Sequence, residues 1–183
     1  MNTGLRSRGI VAAWNRTTRG YPSLCVHQLI ADQVGRTPEA IAIRHGHEAW
    51  SYRELSARAE SLAARLRDAG VQPETLVGVC LERSAALIVT LTAVMQAGAA
   101  YVPLDPAYPR ERLRETIADA GITIVVSDAR CRSAIDAAPV RIVDLDERSP
   151  LDSATTGSRG PLVSPVHLEQ LAYVIYTLSL IHI

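Results

Sequence analysis

Apolar and polar positions alternate along this chain in two periods, and the period switches several times. Ser23 suits the N-cap of a helix with Val26, Leu29, Ile30 and Val34 on one face, ended by Gly35 and Pro38. Ala40–Ile43 and Glu48–Trp50 predict two short strands, with Gly46 in the turn between them. Ser51 and Glu54 form an S-x-x-E capping box, in which the hydroxyl accepts from the backbone at Glu54 and the carboxylate reaches back. The helix they open carries Leu55, Ala59, Leu62, Ala63 and Leu66 as one stripe and closes at Gly70. Its other face (Arg53, Arg58, Glu60, Arg65, Arg67 and Asp68) reads as a solvated surface.

Beyond Gly70 the pattern becomes strand, helix, strand. Leu76–Leu81 is a continuous apolar strand, Ser84–Ala97 a helix stopped by Gly98, and Ala100–Leu104 a strand stopped by Pro106. Arg110–Ala120 is a helix, Ile122–Val126 a strand, Arg130–Ala137 a short helix and Val140–Leu145 another strand. Residues 148–166, rich in Ser, Thr, Gly and Pro, predict a loop that leads to a last buried strand, Leu171–Thr177. Continuous apolar strands separated by amphipathic helices predict an α/β fold, a mostly parallel sheet with helices on both faces.

Composition narrows the function classes. With 183 residues and 48% hydrophobic positions, the chain can bury one sizeable core. Nineteen basic and nineteen acidic residues cancel, so no basic field draws nucleic acid or an anionic membrane. Every basic residue is Arg, which excludes any phosphate site built on a lysine of this chain. Ala85–Leu104 is about as long as a bilayer span, but Thr90, Thr92, Gln96, Gly98 and Pro103 interrupt it. It reads as a buried helix turning into a buried strand, with no membrane segment. Cys25, Cys80 and Cys131 are far apart and in no ligand spacing, so they read as reduced, mostly buried thiols of a cytoplasmic protein. His45 and His47 lack acidic or Cys partners at ligand spacing, and no metal site is assigned. No apolar run follows the N-terminal residues, so no signal peptide is evident.

Four blocks resemble one family. Trp14-Asn15-Arg16-Thr17 with Tyr21-Pro22 is similar to the linker that enters an adenylation domain after a condensation domain. Trp50-Ser51-Tyr52-Arg53-Glu54-Leu55 resembles the first core motif of the adenylation domains of nonribosomal peptide synthetases, with Trp50 in the usual Leu position. Met95-Gln96-Ala97-Gly98-Ala99-Ala100-Tyr101-Val102-Pro103-Leu104-Asp105-Pro106 resembles the second over nearly its full length, with Gln96 where Lys is usual. A bare helix–strand–turn would need only Gly98 and Pro106, so this block is family evidence, whereas its physical role is scaffold, with Asp105 able to cap the turn. Leu171-Ala172-Tyr173-Val174-Ile175-Tyr176-Thr177 is similar to the lead-in to the family's phosphate-binding loop.

The resemblance implies an N-terminal part of the large subdomain of an adenylate-forming enzyme, incomplete as it stands. Residues 1–22 would be an interdomain linker and 23–177 a truncated adenylation domain. Leu178-Ser179-Leu180-Ile181-His182-Ile183 matches nothing in the family; it is what a transposase mosaic-end sequence encodes, and it reads as a sequencing artefact, with truncation or frameshift as the rival. The parent would use ATP and Mg2+ to convert an amino acid to aminoacyl-AMP and pyrophosphate, then transfer it to phosphopantetheine on a carrier domain. Its partners would be the amino acid and the carrier and condensation domains. Thr177 alone matches a position at the edge of the nucleotide site; Tyr176 reads as packing. No catalytic residue is assigned, and the chain by itself is expected to be inactive and to bind no cofactor. Two other readings remain: an acyl- or aryl-CoA ligase-like adenylate-forming enzyme, and a non-catalytic α/β scaffold module.

Overall fold

The structure is a computed structural model that describes residues 14–15, 17–136, 138–146 and 167–177. The predicted 148–166 loop and the 178–183 tail lie outside the described residues. Helix α1 (Val26–Arg36) precedes an antiparallel hairpin of β1 (Ile41–His45) and β2 (Glu48–Ser51). Then come α2 (Tyr52–Asp68), β3 (Leu76–Cys80), α3 (Ala85–Gln96), β4 (Ala100–Pro103), α4 (Arg110–Asp119), β5 (Ile124–Ser127) and β6 (Arg141–Asp144).

The last four strands form one parallel sheet in the order β4-β3-β5-β6. From β3 the chain steps to one side through α3 to reach β4. It then crosses back over β3 through α4 to reach β5. Right-handed crossovers in opposite directions place their helices on opposite faces, and the cores show this. Val77, Val79, Ile124 and Val126 bury against α2 and α3, while Cys80, Val102 and Val125 bury against Leu113 and Ile117 of α4. Alternate residues of each strand therefore feed two separate cores.

The predicted α2 is present with its cap. Glu54 N–H donates to Ser51 Oγ at 3.2 Å, and Glu54 Oε2 accepts from Ser51 N–H at 2.8 Å. All five stripe residues are buried against β3 and α3, each leucine contributing about 2 kcal/mol by area. The other face is more than solvated surface. Arg65 Nη2 donates to the Asp144 carbonyl at 2.5 Å and Arg67 Nη1 to that of Gln96 at 3.4 Å, tying α2 to β6 and to the end of α3. In α3 the Thr90 and Thr92 hydroxyls donate to carbonyls four residues back, at 2.9 and 2.8 Å, so both are buried without an orphaned polar group.

Three helices end alike. After α2, Gly70 N–H donates to Arg67 O and Val71 N–H to Leu66 O, with Gly70 at φ +101°. The same pair of bonds closes α3 at Gly98 and α4 at Gly121. Each is a Schellman motif, and the left-handed residue turns the chain straight into the next strand.

Four expectations need correction. Helix α1 begins two residues later than Ser23 would place it. Cys25 is its N-cap, and the Cys25 N–H donates to Gln28 Oε1 at 2.8 Å. Its buried side is also rotated: His27 is 8% exposed and Ile30 packs on the core, while Val26 and Leu29 stay exposed. Where a helix was expected over Arg130–Ala137, the described residues form a single 3-10 turn, Arg132–Ala134, because Asp128 Oδ1 accepts the Cys131 N–H and forces a turn there. Leu171–Thr177 is extended but not a buried strand. It meets the sheet at one parallel bridge, Tyr173 to Tyr101, and its residues 171, 173 and 175 are at least half exposed.

Candidate nucleotide-edge site at the carboxyl end of the sheet

The loops leaving β3, β4 and β5 diverge to opposite faces, and a crevice of about 680 Å³ opens between them. Outside the carboxyl ends of parallel strands, at such a reversal, is where open α/β sheets bind ligands. Leu81, Leu104 and Ile175 give it apolar walls, and Arg83, Asp105 and Arg130 stand among its polar lining residues. Asp105 Oδ1 accepts the Ala107 N–H at 2.9 Å, so its cap role is structural.

Burial favours the protonated form of the thiols nearby. Burial pushes Cys80 up to about 12, with the Cys131 thiol and Asp128 adding to the effect. Cys131 is also raised, first by burial and then by its contact with Asp128. Burial alone would raise the Asp128 carboxyl, but the bonds it accepts from Cys131 and the charge of Arg130 bring it below the usual carboxylate range. All three cysteines are free, and Cys80 and Cys131 are buried. His45 and His47 are exposed, and among the described residues no three His, Cys, Asp or Glu side chains gather for a metal. No described helix is long and apolar enough to cross a membrane.

Thr177, the one site residue named from sequence, stands exposed at the end of the extended segment. The bridge at Tyr101 runs parallel, so Thr177 lies level with the carboxyl end of β4, on the same edge as the crevice. Tyr101 N–H donates to Ala172 O at 3.2 Å and Val174 N–H to Tyr101 O at 3.0 Å. The Tyr101 and Tyr173 rings stack with centroids 5.5 Å apart. Tyr176 does more than pack: its hydroxyl donates to Asp119 Oδ2 at 2.6 Å, which raises the phenol above its ordinary value.

The AMP-binding enzyme family profile matches residues 30–177, most of the chain. The chain belongs to the AMP-binding enzyme family. Among its relatives is malpinin synthetase of Mortierella alpina, 40% identical over 172 residues, which cover 92% of this chain and 2% of that protein. The nonribosomal peptide synthetase FmoA3 in an AMPPNP-bound form superposes with a TM-score of 0.81 at 31% identity, over 94% of this chain and 18% of that one. VinN in complex with 3-methylaspartate superposes at 0.75 with 27% identity, over 87% of this chain and 45% of its own. The chain thus spans a small part of the length of the curated relatives it matches. Thr177 carries an exposed hydroxyl, and the chain contains no lysine.

Proposed function

We propose that this chain is the N-terminal part of an amino-acid-activating adenylation domain of a nonribosomal peptide synthetase. The parent polypeptide joins an amino acid to the α-phosphate of Mg·ATP, releases pyrophosphate, and passes the aminoacyl group to a phosphopantetheine thiol on a carrier domain. Residues 1–22 would then link to a condensation domain, and the work would be done in the cytoplasm, where ATP and reduced thiols coexist. Residues 23–177 supply the scaffold, with Thr177 at the nucleotide edge. The observation that carries this reading is the superposition on the AMPPNP-bound synthetase over 94% of the chain. The block Met95–Leu113 supports it, since it forms the helix exit, buried strand and capped turn that bring the chain to the carboxyl edge.

The test is pyrophosphate–ATP exchange by the complete parent polypeptide against a panel of amino acids and of aryl and fatty acids. Exchange that depends on an amino acid supports the reading. Exchange driven only by acids lacking the amine would move the chain to the CoA-ligase type. The 183-residue chain assayed alone is expected to show no exchange.

A further inference from the structure

Two residues of this chain break local backbone or helix rules, and both hold the same segment. Glu74 is a non-glycine residue at φ +66°, a conformation that disfavours a side chain. Its Oε1 accepts the Leu171 N–H at 3.3 Å, across 97 residues of sequence. Asp119 is the last residue of α4, where a carboxylate opposes the helix dipole and no basic residue of the last turn offsets it. Its Oδ2 accepts the Tyr176 hydroxyl at 2.6 Å. Between these two ties the segment meets the sheet at the Tyr101–Tyr173 bridge. One bridge leaves an extended chain free to pivot, whereas side-chain ties on either side of it fix both position and direction.

We propose that Glu74, Asp119 and Tyr176 are positioning residues that clamp Leu171–Thr177 and thereby set where Thr177 stands on the nucleotide edge. This rests on the adenylation reading above. The clamp acts at two levels. Glu74 stands at the entry to β3, where its own N–H donates to Gly98 O, so its carboxylate is carried by the turn that joins α2 to the sheet. Asp119 is carried by the end of α4 on the opposite face. The segment is therefore referenced to both layers of the fold.

The experiment has two arms with the same variants, Glu74→Gly, Asp119→Ala, Asp119→Asn and Tyr176→Phe. In the 183-residue chain, amide hydrogen exchange is followed at Leu171, Val174 and Tyr101, with β3 and β5 amides as controls. Glu74→Gly, Asp119→Ala and Tyr176→Phe are expected to lose about tenfold protection in the segment while the controls hold. Asp119→Asn, which keeps an acceptor oxygen without the charge, is expected to restore most of it. In the complete parent polypeptide the first three variants are expected to raise the KM for ATP about tenfold, with kcat and the amino-acid KM held. Glu74→Gly also relieves the strained backbone, so its loss of protection cannot be put down to misfolding. Unchanged protection in all variants overturns the clamp. Lost protection with an unchanged KM for ATP overturns its role toward the nucleotide. A wild-type parent inert toward ATP sinks the adenylation reading and this one with it, whereas an active parent with silent variants sinks this one alone.

Discussion

Two glycines show how differently one residue type can be required. Gly78 lies in the middle of β3 with ordinary strand φ, between Val102 and Val125 in the register. A Cβ there would stand 2.9 Å from Leu104 Cδ1 and 2.9 Å from Val125 Cγ2. Both belong to the core beneath α4, so the added methyl must push the helix from the sheet. Gly78→Ala is expected to destabilise the chain by about 1–3 kcal/mol through overpacking. Gly121 is the converse case: nothing lies within 4 Å of its hypothetical Cβ, but φ is +63°. Gly121→Ala should cost about 1 kcal/mol, through backbone conformation alone. Pairing each with a partner-trimming change separates them in urea titration. Val125→Ala should recover part of the loss at Gly78 and none of that at Gly121. If it recovers neither, the overpacking account is wrong.

Helix α1 shows what the hydrophobic pattern can and cannot specify. Its apolar positions were legible and its facing was not: Val26 and Leu29 stay exposed, whereas His27 is buried and lines, with Val26, Leu168 and Leu171, a cleft of about 210 Å³. A histidine on the buried side gives no apolar signal. Burial lowers the His27 pKa below its ordinary value of 6.5. The folded state therefore holds this ring neutral, whereas the unfolded chain takes up a proton as pH falls through about 6.5. Stability contributed by neutral His27 is present above that pH and lost as pH falls through the lower folded value. The urea midpoint should drop between pH 7.5 and pH 5.5, and His27→Leu should flatten that dependence. An unaltered slope in the variant would place the titrating group elsewhere. By contrast α2 was legible almost in full, since its stripe, capping box and closing glycine all act within four residues. The four sheet strands were legible for a similar reason: strands buried on both faces read as unbroken apolar runs. The clamp residues were not legible. Glu74 to Leu171 and Asp119 to Tyr176 span 97 and 57 residues, and neither carboxylate stands in any local motif. Nor could composition show that, among the described residues after β5, only Arg132–Ala134 turn helically, because the Asp128 carboxylate that bends them competes with a longer helix on equal local terms.

At the scale of the whole molecule, the two layers of the fold are finished unequally. The α4 side of the sheet is covered, and Val174 and Tyr176 turn toward that core. The opposite side of the extended segment presents Leu171, Tyr173 and Ile175 at 50, 52 and 59% exposure, with Leu168 at 55% just before them. Residues alternating in this way along an extended chain form a contiguous apolar strip, and their segment pairs with the sheet on one side through a single bridge. Such a strip favours contact between copies, by burial of side chains and by pairing of backbone groups on the segment's outer edge. The 183-residue chain is therefore expected to show concentration-dependent association in sedimentation. Ile175→Glu should weaken it, because the charge lies on the exposed face and leaves the Asp119–Tyr176 contact in place. Val174→Glu is the discriminating control: that side chain faces the α4 core, so it should unfold the segment and increase association. If both substitutions act alike, the alternation of the segment is not what governs contact. A chain that stays monomeric at high concentration with a sharp thermal transition would instead favour the self-sufficient scaffold over a part of a larger domain.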